Sequence, residues 1–290
     1  MSAYLFIALQ RILPKHIVTA LVFRIARIRR IAIKNFLIRN FIRAYDVNID
    51  EVDASVPDGY ENFNAFFTRE LAAGSRPVDT GSHVIASPVD GTVSAAGTIE
   101  DDMLFQAKRH RYSLKDLLAT DLQDVDAYRN GHFATIYLAP CNYHRVHAPA
   151  DGRLRVARYV PGDLFSVNAT TVSGVPRLFS RNERLICHFE SADGPFMVIF
   201  VGALNVGSIN TPWTGDIRPR KHGVTTDCDL SGSTISTAVA KGDLLGWFNM
   251  GSTVIVLFPG DVCEWVPDLI APKTLRMGEA IGRRKSESDG

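Results

Sequence analysis

Gly251-Ser252-Thr253 sets a serine hydroxyl directly after a glycine and one residue ahead of five apolar residues, Val254 to Phe258. A serine on the threshold of an apolar strand is held beside its own backbone, where the Gly251 carbonyl is the nearest electrophile. The same tripeptide recurs at Gly232-Ser233-Thr234 with no apolar run behind it, and a lone Gly-Ser-Thr is ordinarily a turn or a strand edge. The interest of Ser252 therefore depends on its companions. Ser87-Pro88-Val89-Asp90-Gly91 puts one carboxylate in a tight turn, although an aspartate there also commonly bonds its own backbone. Cys141-Asn142-Tyr143-His144-Arg145-Val146-His147-Ala148-Pro149 carries two histidines three apart, between an apolar run and a proline, so that both can project from one short turn.

Several chemistries fit these residues. A serine hydroxyl becomes reactive when an imidazole takes its proton and a carboxylate orients that imidazole, and Asp90, His147 and Ser252 supply those parts. The histidines suit acid/base work better than the alternative, a structural role. Cys141, His144 and His147 make at most three zinc ligands, with no companion cluster to close a structural site, so no metal is expected. The exposed Gly-x-Ser-x-Gly elbow of many hydrolases is absent. A serine that opens an apolar strand is poorly placed for an external ester and well placed for the carbonyl before it.

The elements that must position these residues change character along the chain. Residues 1 to 45 hold nine Lys or Arg and no acidic residue, leaving 23 basic against 31 acidic residues, or −8, in the remainder. Within this segment bulky apolar residues such as Phe23, Ile28, Ile31, Phe36 and Phe41 are interleaved with Arg24, Arg27, Arg29, Arg30 and Arg39. That mixture predicts basic amphipathic helices at an anionic membrane surface, and the alternative is a helical hairpin packed on the body with a solvated basic face. No run approaches the ~20 apolar residues of a membrane span, no signal-peptide cleavage pattern follows, and the abundance of isoleucine and phenylalanine argues against nucleic acid. Pro57-Asp58-Gly59 reads as a hinge, and residues 62–71 as a short helix docked on the core.

From Val84 onward short strands separated by turns dominate: residues 84–86, 91–93, 133–138, 152–156, 185–189, 196–201 and 253–258, with one helix from Ser113 to Leu118. The fold class is therefore α+β, a predominantly antiparallel β body with amphipathic N-terminal helices. The expected divisions are 1–58, a membrane-association region, 59–280, the catalytic β-rich domain, and 281–290, a disordered tail. Four scattered cysteines without a Cys-x-x-Cys fit a reducing compartment.

Taken together, the motifs resemble the bacterial and mitochondrial phosphatidylserine decarboxylase proenzyme family. The resemblance runs from about residue 10 to 275. It is carried by Phe66-Phe67-Thr68-Arg69-Glu70-Leu71, Ser87-Pro88-Val89-Asp90-Gly91, Tyr143 to Pro149, Leu164-Phe165-Ser166-Val167-Asn168, Arg181-Asn182-Glu183-Arg184, Val201-Gly202-Ala203, and Gly246-Trp247-Phe248 through Gly251-Ser252-Thr253. Met250 and Ala169 depart from the leucine and proline usual there, and Met for Leu preserves volume and apolarity.

The resemblance implies self-cleavage between Gly251 and Ser252, giving a β subunit of 1–251 and an α subunit of 252–290, with Ser252 converted into an N-terminal pyruvoyl cofactor. It implies His147 as the base that activates Ser252, Asp90 as the group that orients it, and a Schiff base between the pyruvoyl group and the substrate amine. His144 is assigned the return of a proton after loss of CO2, turning phosphatidylserine into phosphatidylethanolamine. A homodimer of the αβ unit, peripheral on the cytoplasmic face of the inner membrane, is also implied. Two other readings remain at this point: a membrane-associated hydrolase using Asp90, His147 and Ser252, and a non-catalytic lipid-binding β module.

Overall fold

A computed structural model describes residues 3–107, 110–119, 125–231 and 234–285. Gly232 and Ser233 of the second Gly-Ser-Thr, and residues 286–290 of the expected tail, lie outside the described residues. Three helices open the chain, α1 (Ala3–Ile12), α2 (Lys15–Ala26) and α3 (Ile31–Tyr45), and a fourth, α4 (Phe63–Phe67), follows. Asn62 caps α4 by accepting the Ala65 amide, and Ser113 caps the Leu114–Leu118 helix in the same way by accepting the Asp116 amide.

The body is antiparallel. Its largest sheet runs in space through Gly152–Val160, Arg184–Glu190, Phe196–Val201, Thr253–Phe258, His132–Tyr137 and Gly91–Thr98, with two-residue strands on its flanks. Thr253–Phe258 lies in the middle, pairing Thr253 with Val201 on one side and with Tyr137 on the other. All six of its residues are buried, which is why it reads as an unbroken apolar run rather than an alternation. A second sheet contains Gly215–Ile217, Ile209–Thr211, Leu244–Phe248 and Arg145–His147. Residues 249–252 are thus a four-residue crossing between two sheets.

The N-terminal helices are docked on this body by buried polar contacts. Gln10 donates to the Thr171 hydroxyl and accepts the Ser166 amide, Lys34 donates to the Pro57 carbonyl, and the Thr19 hydroxyl accepts the Asn205 amide. Their outward faces nevertheless expose Tyr4, Ile12, Ile17, Leu21, Ile31 and Phe36.

The C-terminal expectation needs correction. Ala280–Arg284 is a strand between Val84–Ala86 and Cys263–Trp265, so residues 281–284 are ordered structure and not tail. The sequence hides it because the strand is short and ends in two arginines. Arg284 is buried by its ion pair with Asp193 and its hydrogen bond to Ser191, a long-range arrangement without local signature. Strands at Met103–Ala107, His110–Ser113 and Leu244–Phe248 were likewise not expected.

Candidate active site

The crossing between the sheets holds Gly251 and Ser252 by different means on either side. Downstream, the Leu138 amide donates to the Ser252 carbonyl (2.9 Å), extending the ladder of the central strand by one rung. Upstream, the Asn249 side chain is clamped. Its Oδ1 accepts from Asn64 (2.9 Å), and its amide group donates to the Ser208 hydroxyl (2.6 Å) and to Asp216 (3.1 Å). Between these anchors Met250 takes a φ of 148°, a backbone state that non-glycine residues seldom adopt and that costs about 1–3 kcal/mol. Ser252 is fully buried, and both its hydroxyl and that of Thr253 lack any hydrogen-bond partner. An unsatisfied buried hydroxyl is costly and stands out in a well-packed strand.

His144 is the imidazole at this junction. The turn that delivers it is fixed by the Asn142 side chain, which accepts the Ala139 amide, and by the Phe248 amide donating to the His144 carbonyl. The His144 ring stacks on Phe67 with centroids 4.1 Å apart, and a β-carbon built on Gly251 would lie 3.4 Å from its Cε1. Burial first, and the neighbouring Arg69 charge second, push its pKa down to about 3. The ring is neutral at ordinary pH, and its Nδ1 is buried without a partner.

His147 and Asp90 lie on adjoining backbone, since the His147 amide donates to the Pro88 carbonyl (2.8 Å). Their side chains, however, have other partners. His147 Nδ1 lies 2.7 Å from the Gly242 carbonyl and must donate to it, which leaves Nε2 as the basic nitrogen, 3.0 Å from the Tyr143 hydroxyl. Burial lowers the His147 pKa, with the Gly242 hydrogen bond acting in the opposite sense and the Asp90 charge adding to that. Asp90 accepts from Arg76 Nε and Nη2 and from the Met277 amide (2.8 Å). Asp90 and His147 therefore adjoin, but no hydrogen bond joins Asp90 to His147 or His147 to Ser252, and the imidazole beside the Gly251–Ser252 junction is that of His144.

Sequence reasoning passed over Arg76 and Asn249, because an isolated arginine and an isolated asparagine carry no spacing signal. It treated Phe67 and Arg69 as parts of a docking helix. Arg69 is buried and donates to the Cys141 carbonyl (3.0 Å), so it both braces the His144 turn and biases that ring. Among the described residues no group of three or more His, Cys, Asp or Glu side chains is placed to hold a metal ion.

Two cavities meet at the junction. One of about 370 Å³ is lined by Phe67, Tyr137, Leu138, Asn205, Met250 and Gly251. The other, about 350 Å³ and almost wholly apolar, runs between α2 and α3 past Ile25, Leu37 and Phe63. They share Phe41 and Met250. An N-terminal carbonyl group generated at position 252 would find a buried position with a neutral imidazole nearby, so the residues present fit a pyruvoyl group derived from Ser252.

Comparison with known proteins agrees with this geometry. A family model described as phosphatidylserine decarboxylase matches residues 63–283, and a second, described as PSD, matches residues 5–46. The phosphatidylserine decarboxylase proenzyme of Saccharophagus degradans is 45% identical over 284 residues, covering 98% of this chain and 99% of its own. Those of Ectopseudomonas mendocina (44%, covering 97% and 99%) and Methylococcus capsulatus (45%, covering 96% and 96%) are similarly close. With its own strained glycine-serine junction and matches spanning almost its whole length, the chain belongs to the phosphatidylserine decarboxylase family.

Proposed function

We propose that this chain is a proenzyme that cleaves itself between Gly251 and Ser252 and then decarboxylates phosphatidylserine to phosphatidylethanolamine at a membrane surface. The observation that carries the reading is the buried, unpartnered Ser252 hydroxyl beside a backbone twisted at Met250. In the first step Ser252 Oγ adds to the Gly251 carbonyl carbon and the peptide C–N bond breaks, leaving an ester and a free amino group at 252. Removal of the Ser252 α-proton then breaks the Cβ–O bond, releases Gly251 as a carboxylate and leaves dehydroalanine. Its hydrolysis gives ammonia and the pyruvoyl group. Once formed, such a group would supply an amine-reactive carbonyl and an electron sink for the pair released when a carbon–carboxylate bond breaks, with Ser252 as the residue that carries it.

In this reading His147 takes the Ser252 proton at Nε2. Its Nδ1–H, fixed on Gly242, sets the tautomer, burial keeps the ring neutral and able to accept, and the Asp90 charge favours the imidazolium that forms. The Tyr143 hydroxyl must release Nε2 for this to happen. His144, against the junction, moves the proton at the substrate carbon. A second reading, in which His144 also serves as the cleavage base, draws on its unpartnered Nδ1. The two separate cleanly: His147→Ala stops cleavage in the first and spares it in the second. In the first, His144→Ala cleaves but does not decarboxylate.

Lipid as substrate is supported by the apolar groove that opens beside Met250 and by the exposed apolar and basic residues of α1 to α3. A diacyl lipid leaves a bilayer only at ~0.8 kcal/mol per CH2, so the enzyme has to work at the surface. No single helix among the described residues is long and apolar enough to cross a membrane, and α1 and α2, which would suffice together, are bent by 86°; the reading is of a peripheral protein on the cytoplasmic face. An Asp-His-Ser hydrolase is not favoured, because Ser252 is fully buried and out of reach of an external ester.

Intact mass spectrometry tests the proposal. The expected result is two chains, one of them residues 252–290 with a blocked N-terminus; a preparation that turns over substrate as one uncut chain would overturn it.

A further inference from the structure

The elbow between α1 and α2 has a character that the reaction chemistry does not use. The two helices meet at 86° across Leu13 and Pro14, and the angle encloses a cleft of about 710 Å³. Its cationic lining is Arg11, Lys15, Arg181 and Lys221 against a single carboxylate, Asp163, and the His16 imidazole beside them is held neutral because burial lowers its pKa. Asp163 is already engaged by Lys15 (3.1 Å) and Arg181 (3.6 Å). Arg11 and Lys221 have no ion-pair partner among the described residues. The floor is Phe165, with the Lys15 ammonium 4.0 Å and the Arg181 guanidinium 4.9 Å from its ring centre. The lip is apolar, since Ile12 and Ile17 are 83% and 70% exposed.

A cationic cleft with an apolar lip, on the face where α1 and α2 turn bulky side chains outward, matches one kind of ligand: a phosphate group that carries acyl chains. A soluble phosphate would satisfy the cations but leave the isoleucines in water. We propose that the α1–α2 elbow binds the headgroup phosphate of an anionic phospholipid, at a site separate from the chamber beside Gly251. The proposal rests on the membrane reading above for the source of the ligand. The site is also mechanically joined to that chamber. Asp163 and Phe165 begin the segment whose Ser166, Val167 and Asn168 line the chamber, and Gln10 of α1 accepts the Ser166 amide (2.9 Å). A lipid seated at the elbow thereby holds α1 against the segment that walls the reaction chamber.

The test uses the full chain, sedimented with phosphatidylcholine vesicles containing or lacking phosphatidylglycerol, an anionic lipid that is not the substrate. Arg11→Gln/Lys221→Gln is compared with Arg39→Gln/Arg43→Gln, two exposed α3 arginines outside the cleft. At about 1 kcal/mol per basic residue, the elbow pair should weaken binding to anionic vesicles by roughly 30-fold. The α3 pair should weaken it several-fold less, with melting temperatures unchanged in both. Equal losses from the two pairs would mean diffuse surface charge and overturn the site. Release of wild-type protein from the vesicles by millimolar inorganic phosphate at constant ionic strength would assign the cleft to free phosphate and overturn the lipid. If the wild type binds neither vesicle, the membrane reading itself fails and the proposal goes with it; loss confined to the elbow variant supports both.

Discussion

Arg76 holds Asp90 in a two-pronged grip, Nε at 2.8 Å from Oδ1 and Nη2 at 2.6 Å from Oδ2, with both side chains more than nine-tenths buried. The arginine reaches on to Glu51, and this pair of acceptors raises its pKa. Removing one partner of a buried pair leaves an uncompensated charge. Arg76→Leu should therefore cost about 3–5 kcal/mol, read by urea unfolding of the uncut Ser252→Ala chain. Arg76→Leu/Asp90→Leu should recover much of that loss, and no recovery would show that Asp90 owes its place to other groups.

Asn249 clamps the upstream side of the segment proposed to be cleaved. Asn249→Leu keeps the volume and forfeits the bonds to Asn64, Ser208 and Asp216. Self-cleavage should slow by about tenfold or more, since each orphaned partner costs about 1–3 kcal/mol. A time course of uncut chain on a gel measures it; an unchanged rate would make the clamp irrelevant to processing.

Met250 stores backbone strain at a φ of 148° that glycine adopts freely. If that strain promotes attack, Met250→Gly should cleave more slowly than Met250→Ala, which loses the same packing but keeps the twist. In the Ser252→Ala background the glycine variant should in turn melt higher than the alanine variant. Equal cleavage rates would remove strain from the explanation.

Tyr143 occupies the nitrogen at which, in the cleavage proposed above, His147 takes the serine proton. One such hydrogen bond is worth about 0.5–1.5 kcal/mol, so Tyr143→Phe should hasten cleavage by roughly two- to tenfold. Slower cleavage would instead make the hydroxyl a proton relay between His147 and Ser252.

Glu183 is buried, and burial pushes its pKa up to about 8, from an ordinary 4.5. The folded chain then holds this proton up to about pH 8, while the unfolded chain loses it near 4.5. Folding is linked to proton uptake in that window, so the contribution of Glu183 to stability falls as pH rises from 4.5 to 8. Glu183→Gln retains an acceptor for the Tyr159 hydroxyl and cannot ionise. Its stability relative to the native chain should improve by a few kcal/mol across the window, as followed by chemical denaturation at each pH.

Much of this protein is legible in local sequence. The central strand announces itself because six consecutive buried positions leave no polar face to interrupt the run. Ser113 and Asn62 announce helix starts because a cap acts within three residues. The Ala280–Arg284 strand was missed because it is stabilised by partners about 20 and 200 positions away, Cys263–Trp265 and Val84–Ala86, and by the burial of Arg284 on Asp193.

By itself the sequence determined which reactive groups the chain carries and narrowed the chemistry open to them. A glycine-serine junction at the head of an apolar strand, two histidines three apart, one aspartate in a turn and a basic apolar N-terminus all follow from residue identity and spacing. Only the tertiary structure decided which of these groups meet. It stacked His144 on Phe67 against Gly251, tied His147 to Gly242 and Tyr143, and gave Asp90 to Arg76. The physical reason is that hydrogen bonds and ion pairs act over about 3 Å, whereas the partners are separated by up to 107 residues of chain, and only the pairing of strands into particular sheets brings such ends together.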